Sequence, residues 1–515
     1  MLGHMPADLD LAVDGDGLIV ARQLADSAGG SFVPLDAIHH TGRVVLSAER
    51  TATTRDPAEH TNANHAPVPT IDIAALRAST LEEDLRLRDF TINAMALPLT
   101  SHMIERIATL SEQQRSGGLP ALLESIIDPC GGCHDLALRR LRLCLPSSLR
   151  DDPVRLMRAV RLAAEYGLAV SSALDQAIRR DVVWIDYVAI ERVRDELLKL
   201  LALTDAASWL WYLDDVRLLT RLIPELEPAR TCDQPIVHFL PVLGHILEAV
   251  VCVEWILNHL AQPAPRSTQG NARAMSQSVV TPSVLPVAVQ TYPDLPLTLR
   301  SAVQLHDHMR LTIRSNHTRA ALLKLAVLLH DVAKPQTKQP KPGGGVTFYG
   351  HQQIGAQDAR IIAQRLKLSR NEIAYISRVV REHMRPGQLR NDEHVTPRAI
   401  ARFFRDTDGH GPDVLIHALA DHLAARGPNL DLADWQRHLD WTDHMLQHYW
   451  GEASVPNQPL LNGHTLIQVL QLEPGPLVGL ILREVQEAQS AGEIHNTEEA
   501  LHLASQVLTQ LKANS

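Results

Sequence analysis

The chain has 515 residues, of which 45% are hydrophobic and 21% charged, and its formal net charge at pH 7 is −10. A chain of this length and composition is globular and divides into several domains. The acidic balance excludes a general basic coat, so any surface that binds nucleic acid must be local.

Composition also bears on the location of the protein. The longest apolar run, "FLPVLGHILEAVVCVEWILNHLA", contains a proline and two glutamates that a lipid-exposed helix would exclude. The first residues lack the basic segment and apolar stretch of a signal peptide. The five cysteines form no regular framework, which favours a reducing compartment. We therefore expect a cytoplasmic protein without a membrane partner.

Short β-rich runs alternate with a helical run over the first hundred residues. The segments "LDLAV", "SFVPL", "GRVVLSA" and "TIDIAAL" predict strands, and "GLIVARQLADSAG" predicts a helix. The polar segment "ERTATTRDPAEHTNANHAPVP" predicts a hairpin insertion between two of these strands. Helical periodicity continues from about Pro98 to the end. The predicted fold class is α+β, with an α/β head followed by an all-α region.

Three carboxylates lie on the predicted strands of this head. Asp8 and Asp10 in "DLDLAV" share a strand face because side chains two residues apart point the same way. Asp72 in "TIDIAAL" has a similar setting. Carboxylates on neighbouring strands suit Mg²⁺ ions that carry nucleotide phosphates during two-metal nucleotidyl transfer. The alternative for each is a solvated strand face.

The segment "EEDLRLRDFTINAMAL" follows this unit. It resembles a segment of the tRNA nucleotidyltransferase (CCA-adding) and bacterial poly(A) polymerase family, class II, with the pattern Asp-Leu-x-Arg-Arg-Asp-Phe-Thr-Ile-Asn-Ala. Leu87 replaces the first arginine of that pattern. The resemblance implies that Arg88, Asp89 and Asn93 bind the incoming nucleotide, with Arg88 and Asp89 at its phosphates and ribose. The alternative is a salt bridge at a helix start.

The segment "DPCGGCHDLALRRLR" contains a Cys-x-x-Cys pair, Cys130 and Cys133, which alone would suggest a zinc or redox site. Only Cys144 lies nearby, so a four-ligand site lacks partners. The segment resembles the hinge of the same family, whose pattern is Asp-Pro-x-Gly-Gly-x-x-Asp-Leu. We therefore interpret the two glycines between the cysteines as hinge residues.

The segment "DDPVRLMRAVRLAAEYGL" resembles the nucleotide-selecting helix of the family. A carboxylate accepts from the exocyclic amino group of C or A, and a guanidinium donates to the ring nitrogen, whereas uracil and guanine present the opposite pattern. The alternative is a salt bridge on a basic helix. The residues at helical spacing in this segment are Asp152, Arg155, Arg158 and Arg161.

A second set of residues resembles the HD-domain metallophosphohydrolases. Imidazole and carboxylate ligands suit a divalent transition metal such as nickel, manganese or zinc, which activates water against a phosphate ester. A purely structural role for the histidines is the alternative. The residues that match are His245, His330, Asp331, His351, His383 and Asp421.

These resemblances divide the chain into four parts. Residues 1–100 form the nucleotidyltransferase head, residues 101–225 a helical neck that selects nucleotides and binds RNA, and residues 441–515 a helical tail. Residues 226–440 form an HD domain. Within it, residues 263–296 are rich in Pro, Ser, Thr and Gln and predict a disordered insertion.

The first residues match the family only in part. In the family, a Gly-Gly-x-Val-Arg-Asp turn and a short helix ending Leu-Leu-Gly precede the Asp-x-Asp strand. Residues 1–3 match only that ending. The expectation from the sequence is a chain truncated at its start, and the alternative is loss of the turn in a protein that no longer transfers nucleotides.

The predicted function is template-independent addition of C and A to tRNA 3′ ends from CTP and ATP with Mg²⁺. Within the same class, the alternative is a poly(A) polymerase or an enzyme that adds only A or only C. A hypothesis from another class is an HD phosphohydrolase with an inactive head. The sequence leaves the oligomeric state open.

Overall fold

A computed structural model describes most of the chain and divides it into two compact units. The first unit is Met1–Asp181 with Ser276–Thr281, and the second is Val182–Met275 with Pro282–Ser515. The division therefore falls inside the predicted neck, and the predicted hairpin insertion lies outside the described residues. The described residues are 8–46, 70–109, 124–260, 279–280, 285–313, 317–390, 395–451 and 459–513.

The first unit begins with a four-stranded sheet and one covering helix. Its strand order is β1-β4-β3-β2, with β1 parallel to β4 and the other neighbours antiparallel. All four strands and the helix lie where the sequence pattern predicts them. The elements are β1 (Asp8–Val13), α1 (Gly17–Ala28), β2 (Ser31–Asp36), β3 (Thr41–Val45) and β4 (Thr70–Ala75).

Alternation along the strands gives this sheet one apolar face. Ile73 on β4 and Val44 on β3 are fully buried and pack with Ala21 and Ala25 of α1. Asp16 caps the start of helix α1, since its carboxylate accepts hydrogen bonds from the backbone N–H groups of two first-turn residues. Because side chains alternate, the polar residues of these strands lie on the face away from α1.

Short elements complete the first unit. Strands β5, β6 and β7 form a second sheet, with β5 parallel to β6 and β6 antiparallel to β7. The elements are α2 (Leu81–Arg86), α3 (Ser101–Thr109), α4 (Gly132–Ala137), β5 (Arg140–Leu141), α5 (Ser148–Asp151), α6 (Arg155–Tyr166), β6 (Ala169–Ser171), α7 (Ser172–Asp181) and β7 (Val279–Val280).

The glycine pair of "DPCGGCHDL" packs against the segment "RDFTINA". Gly131 has a φ of 78°, which favours glycine, and it precedes α4. A Cβ on Gly132 would lie 2.1 Å from the carbonyl oxygen of Thr91. The two motifs, about 40 residues apart in sequence, therefore meet at a contact that only glycine allows.

Within the described residues, the second unit is helical apart from a short hairpin of β8 (Gln339–Pro340) and β9 (Val346–Thr347). Its helices are α8 (Ile190–Leu201), α9 (Ala206–Asp215), α10 (Leu218–Leu222), α11 (Val242–Leu260), α12 (Val287–Thr291), α13 (Ala302–Arg310), α14 (Arg319–Leu329), α15 (Lys334–Thr337), α16 (His351–Arg365), α17 (Arg370–Glu382), α18 (Arg385–Arg390), α19 (Pro397–Thr407), α20 (Gly411–Arg426), α21 (Leu432–Trp450), α22 (Gly463–Leu470), α23 (Pro476–Ser490) and α24 (Thr497–Ala513).

Helix α11 is the centre of this unit and packs against α9, α14 and α20. In the described part of the chain it is the one helix long and apolar enough to cross a membrane, and 78% of its most apolar 18-residue window is buried. Burial on all sides explains its continuous apolar sequence, which is that of a core helix.

The prediction of a disordered insertion is wrong for residues 285–296. Helix α12 forms there, with Ala288 and Val289 buried. The backbone N–H of Val287 at the start of this helix donates to the buried Glu248 carboxylate at 2.6 Å. The apolar run "VLPVAV" contributes enough buried surface to order this end of the segment, which its overall composition hides.

The tail forms its own apolar cluster and attaches to α19 through ion pairs. Leu466, Ile481 and Ala500 are fully buried in that cluster. Glu487 on α23 is buried and accepts from Arg402 at 2.9 Å and from the neighbouring Arg405. The predicted helical tail is therefore a packed part of the second unit.

Candidate functional site

Three polar residues lie side by side across the open face of the first sheet. Asp10 on β1 is the register partner of Asp72 on β4, and Asp72 is the register partner of Arg43 on β3. Residues paired in this way share a sheet face and lie about 5 Å apart. Two of the three predicted metal carboxylates are thus adjacent. Asp8 begins β1, and its side chain lies outside the described part of the structure.

Arg43 holds Asp72 with both arms of its guanidinium. Its Nε and one terminal nitrogen each lie 2.7 Å from a different oxygen of the carboxylate. A bidentate pair of this kind fixes the plane of the carboxylate and offsets its charge. Arg43 was not predicted as a site residue. It is a lone arginine in the apolar strand "GRVVL", and that position could have indicated a partner carboxylate on a neighbouring strand.

Arg88 contacts a buried carboxylate one turn before it. Its Nε lies 3.5 Å from Asp84, which is 1% exposed. The backbone N–H and side chain of Arg77 also donate to Asp84, at 3.0 and 3.1 Å. Burial alone would raise the pKa of Asp84, but these donors outweigh it and lower that pKa. Asp84 therefore stays charged and orients Arg88.

Asp89 joins the "RDFTINA" segment to the predicted selecting helix. One carboxylate oxygen accepts from the backbone N–H of Phe90 at 2.8 Å and from the Asn93 amide at 3.2 Å. The other lies 2.7 Å from Nε of Arg158 on α6. The predicted nucleotide-binding residues Asp89 and Asn93 and the predicted selecting residue Arg158 are therefore in one group.

The other selecting residues lie at the start of α6. Asp152 has an extended backbone just before the helix, and Arg155 is the first helical residue. A terminal nitrogen of Arg155 donates to the hydroxyl of Ser148 at 2.7 Å and to its carbonyl at 3.1 Å. Arg161, two turns further, is buried and forms an ion pair with Glu165.

A buried carboxylate anchors the hinge segment. Asp135 is fully buried and accepts from the Thr91 hydroxyl at 2.6 Å, from Arg140 at 2.6 and 3.0 Å and from Arg142 at 2.9 Å. Burial alone would raise its pKa, but these donors lower it. Asp135, the second aspartate of the hinge pattern, therefore has a structural role and holds the Thr91 hydroxyl of the neighbouring "RDFTINA" segment.

The cysteines of the hinge are free thiols. Burial and the adjacent Asp128 carboxylate raise the pKa of the Cys133 thiol, and burial raises that of Cys144. A raised pKa disfavours the thiolate that metal binding and redox chemistry need. Among the described residues, the groups that could hold a metal ion include no cysteine.

In the second unit, the structure brings all six predicted HD residues together. Asp331 is central: its oxygens lie 3.1 Å from His330, 3.5 Å from His245 and 3.4 Å from His351. These residues come from helices α11, α16, α17 and α20 and from the end of α14, and so from distant parts of the sequence. The remaining two residues are His383, 3.9 Å from Asp331, and Asp421, 2.9 Å from His245.

Backbone carbonyls orient three of these histidines. The Nδ1 atoms of His330, His351 and His383 each lie 2.6–2.7 Å from the carbonyl oxygen three residues earlier, so each donates its proton there. The Nε2 atoms of all three rings therefore point inward. Those of His351 and His383 face each other at 3.2 Å. Two acceptors at this distance, with no proton between them, fit a shared cation.

The protonation states of the residues in the centre also favour a bound cation. Burial alone would raise the pKa of Asp331 and Asp421, but the adjacent imidazoles hold both well below their usual range. Burial lowers the pKa of His351 and His383, which keeps both rings neutral and able to ligate. One oxygen of buried Asp331 pairs with Nζ of Lys334 at 2.6 Å, whereas the other has no hydrogen-bond partner and faces Nε2 of His351 at 3.4 Å. Divalent metal ions would satisfy these groups.

Two further histidines of the centre were not predicted. His417 is fully buried, and its ring centroid lies 4.7 Å from that of His330. It is one helical turn before Asp421, so the spacing of four in "HALAD" could have indicated it. The ring of His238 lies 4.8 Å from that of His245, and no sequence pattern pointed to it.

The centre opens into a cavity of about 540 Å³. Lys334, whose Nζ lies 2.6 Å from Asp331, contributes a positive charge to the wall. The lining also includes His422 and His438, whose ring centroids lie 3.7 Å apart, and Arg390, which pairs with Asp434. A cavity with metal-ligating residues and cations suits a phosphorylated small molecule.

The sequence matches four family models in chain order. Residues 1–142 match the Poly A polymerase head domain, and residues 298–426 match the HD domain. Residues 167–230 match a model for an RNA and SrmB binding site of polymerase A. Residues 437–504 match a model for domain 2 of tRNA nucleotidyltransferase.

Two relatives resemble the chain over almost its whole length. The A-adding tRNA nucleotidyltransferase of Deinococcus radiodurans is 30% identical over 504 residues, which cover 97% of this chain and 91% of the relative. The CC-adding tRNA nucleotidyltransferase of Thermus thermophilus is 28% identical over 506 residues, which cover 97% and 89%.

Solved structures of CCA-adding enzymes share the fold. A complex with ATP has a TM-score of 0.57 at 18% identity, covering 99% of this chain and 88% of that chain. The Thermotoga maritima enzyme complexed with tRNA has a TM-score of 0.53 at 18% identity, with the same coverage. The α/β head followed by helical regions is therefore the shared architecture.

Proposed function

Because the chain belongs to the tRNA nucleotidyltransferase family, we propose that it adds C and A to the 3′ ends of tRNA from CTP and ATP, without a nucleic-acid template. The predicted family, fold class and enzyme class are confirmed by this membership. The observation that carries the proposal is the group formed by Asp89, Asn93 and Arg158, which joins the nucleotide-binding motif to the selecting helix.

On the sheet, Asp8, Asp10 and Asp72 are the residues that would hold Mg²⁺. The register pairing of Asp10 with Asp72 supports this, because hard carboxylate oxygens on one face suit that ion. Bound Mg²⁺ would neutralise the charge of the triphosphate and lower the pKa of the attacking hydroxyl. Arg43 orients the Asp72 carboxylate through its two contacts.

Base selection belongs to the start of α6. Asp152 accepts from the amino group of C or A and Arg155 donates to the ring nitrogen, which excludes U and G. Arg158 is paired with Asp89 and therefore positions the selecting helix against the motif that binds phosphates and ribose. We assign Arg161 a structural role, since it is buried and paired with Glu165.

The product of the reaction separates the alternatives within the class. The relatives from Deinococcus radiodurans and Thermus thermophilus have names with different products, A-adding and CC-adding. Three tRNA substrates distinguish the cases: one that ends before the CCA, one that ends in C and one that ends in CC. Addition of three nucleotides to the first substrate supports the proposal. Addition only to the CC-ending substrate would make the chain an A-adding enzyme.

A second candidate function is metal-dependent phosphohydrolysis in the HD domain. The convergence of six ligands at the end of an open cavity favours it. A divalent transition metal held there would activate water against a phosphate ester. The test is hydrolysis of phosphomonoesters and cyclic nucleotides after reconstitution with nickel, manganese or zinc. No hydrolysis with any of the three would leave a structural HD domain.

A further inference from the structure

Ser148, which belongs to none of the motifs described above, lies between the two groups that handle the nucleotide. It is the first residue of α5 and is 1% exposed. Its hydroxyl donates to the backbone carbonyl of Asp89 at 3.2 Å and accepts from Arg155 at 2.7 Å. One buried hydroxyl therefore uses both its donor and its acceptor capacity to connect the nucleotide-binding motif with the selecting arginine.

The connection runs parallel to the ion pair between Asp89 and Arg158. That pair links the Asp89 side chain to Arg158 of α6. Ser148 instead links the Asp89 backbone to Arg155, which lies three residues before Arg158 on the same helix. Arg155 is at the first position of α6, where the helix itself does little to restrain a long side chain. The Ser148 hydroxyl and carbonyl are the contacts that fix its guanidinium.

We infer that Ser148 is a positioning residue for base selection, which holds the Arg155 guanidinium at a set distance from Asp89. The inference rests on the proposed role of Arg155 in reading the base. A guanidinium that is free to rotate donates to several bases, so loss of the hydroxyl should weaken discrimination more than it weakens addition itself.

The first variant is Ser148→Ala, and the neighbouring Ser147→Ala is its matched control. Ser147 is exposed and donates to Asp151 at 2.9 Å, away from Arg155. Equilibrium binding of CTP, ATP, UTP and GTP to the full chain is measured without tRNA, and kcat and KM are measured with it. Ser148→Ala should reduce the preference for C and A over U and G about tenfold, mainly through KM, and Ser147→Ala should change it less than twofold.

A double-mutant cycle separates positioning from a merely structural role. In an Arg155→Ala background, Ser148→Ala should have no further effect on selectivity, because the side chain it holds is gone. Additive losses, or a Ser148→Ala protein that folds and selects like the wild type, would overturn the inference. If the wild type binds CTP and ATP, such a result refutes only the role of Ser148. If the wild type binds no nucleotide, the proposed function fails as well.

Discussion

The guanidinium of Arg43 and the carboxylate of Asp72 form a two-point ion pair across neighbouring strands, with both N···O distances at 2.7 Å. Asp10 occupies the next register position on the same face. A positive charge is therefore built into the carboxylate surface that the proposed function assigns to Mg²⁺, and this charge must weaken the binding of a cation there.

Replacing Arg43 should strengthen metal binding to the head. A unit charge about 5 Å from the ion costs about 1 kcal/mol in a water-like medium, so Arg43→Ala should lower the Mn²⁺ dissociation constant roughly fivefold. Arg43→Lys keeps the positive charge and should lower the Mn²⁺ dissociation constant less. Electron paramagnetic resonance of Mn²⁺ measures this, in a His330→Ala background that weakens the HD centre. Equal Mn²⁺ affinity with and without Arg43 would show that the ion does not bind beside Asp72.

Asp152→Asn should relax base selection. The amide replaces a carboxylate acceptor with a group that also donates, so UTP and GTP are no longer refused. Loss of one of the two hydrogen bonds that Asp152 and Arg155 make to the base costs about 1–3 kcal/mol, or roughly ten- to a hundredfold in discrimination. Incorporation of the four nucleotides on tRNA lacking its end is the assay. Asp151→Asn, at the adjacent exposed position, is the control, and equal selectivity in both variants would remove Asp152 from this role.

Asp331→Asn should abolish metal binding in the HD domain. Asp331 lies within 3.9 Å of four histidines, so the amide removes the carboxylate that all four face and should reduce bound metal more than about tenfold. Elemental analysis after reconstitution with nickel, manganese or zinc is the measurement. His464→Ala, at an exposed position of the tail, is the control. Nucleotide addition should persist, because its proposed residues lie in the first unit.

Stability should depend on pH through Glu248. Burial raises the pKa of this carboxyl to about 7, against an ordinary value near 4.5. The pKa of Glu248 is higher in the folded than in the unfolded state. Its contribution to the free energy of unfolding is therefore complete below about pH 4.5 and is lost as the pH rises to about 7. The loss is about 3 kcal/mol. Glu248→Gln keeps the acceptor for Val287 and should flatten the stability profile of the second unit between these pH values.

The measurement for this prediction is thermal unfolding from pH 4.5 to 8, compared with Glu191→Gln at an exposed helical position. Equal pH slopes for wild type and Glu248→Gln would contradict the raised pKa. The comparison uses the difference between the two glutamine variants, so that titration of other groups cancels.

Gly132→Ala should destabilise the first unit. The new Cβ would lie 2.1 Å from the Thr91 carbonyl oxygen and 2.9 Å from Met95, so the backbone must shift at a cost of about 1–3 kcal/mol or more. Gly479→Ala, where nothing lies within 4 Å of the added Cβ, is the control and should stabilise slightly, because alanine is favoured over glycine inside a helix. Differential scanning calorimetry of the full chain reports both. Equal melting of the two variants would mean that the contact with Thr91 is not required.

Local patterns predicted the head well because its signals are short in range. Alternation in "TIDIAAL" and "LDLAV" was enough to predict the strands and to suggest that Asp10 and Asp72 lie on neighbouring strands, which the register pairing bears out. The histidines of the HD centre come from helices far apart in sequence, so spacing alone could not group them, and the resemblance was needed. His238 and Ser148 were missed because a lone histidine or serine shows its role only through contacts made in three dimensions.

The contrast between Arg158 and Arg161 shows the limit of the periodicity argument. Both follow Asp152 on the same helical row, but Arg158 contacts Asp89 whereas Arg161 is buried against Glu165. The row drifts around α6 because the spacing of three residues falls short of one 3.6-residue turn. A sequence pattern therefore identifies the row of arginines, but it does not show which of them face Asp89 and which are buried elsewhere on the helix.

The backbone hydrogen bonds of His330, His351 and His383 bear on how this centre can change during evolution. Each imidazole is held by the main-chain carbonyl three residues before it, a group that every amino acid supplies. Residues 327, 348 and 380 can therefore be replaced without releasing the rings, provided that the local backbone keeps its shape. The surroundings of the centre are free to diverge and acquire new substrates while the ligand geometry is inherited unchanged.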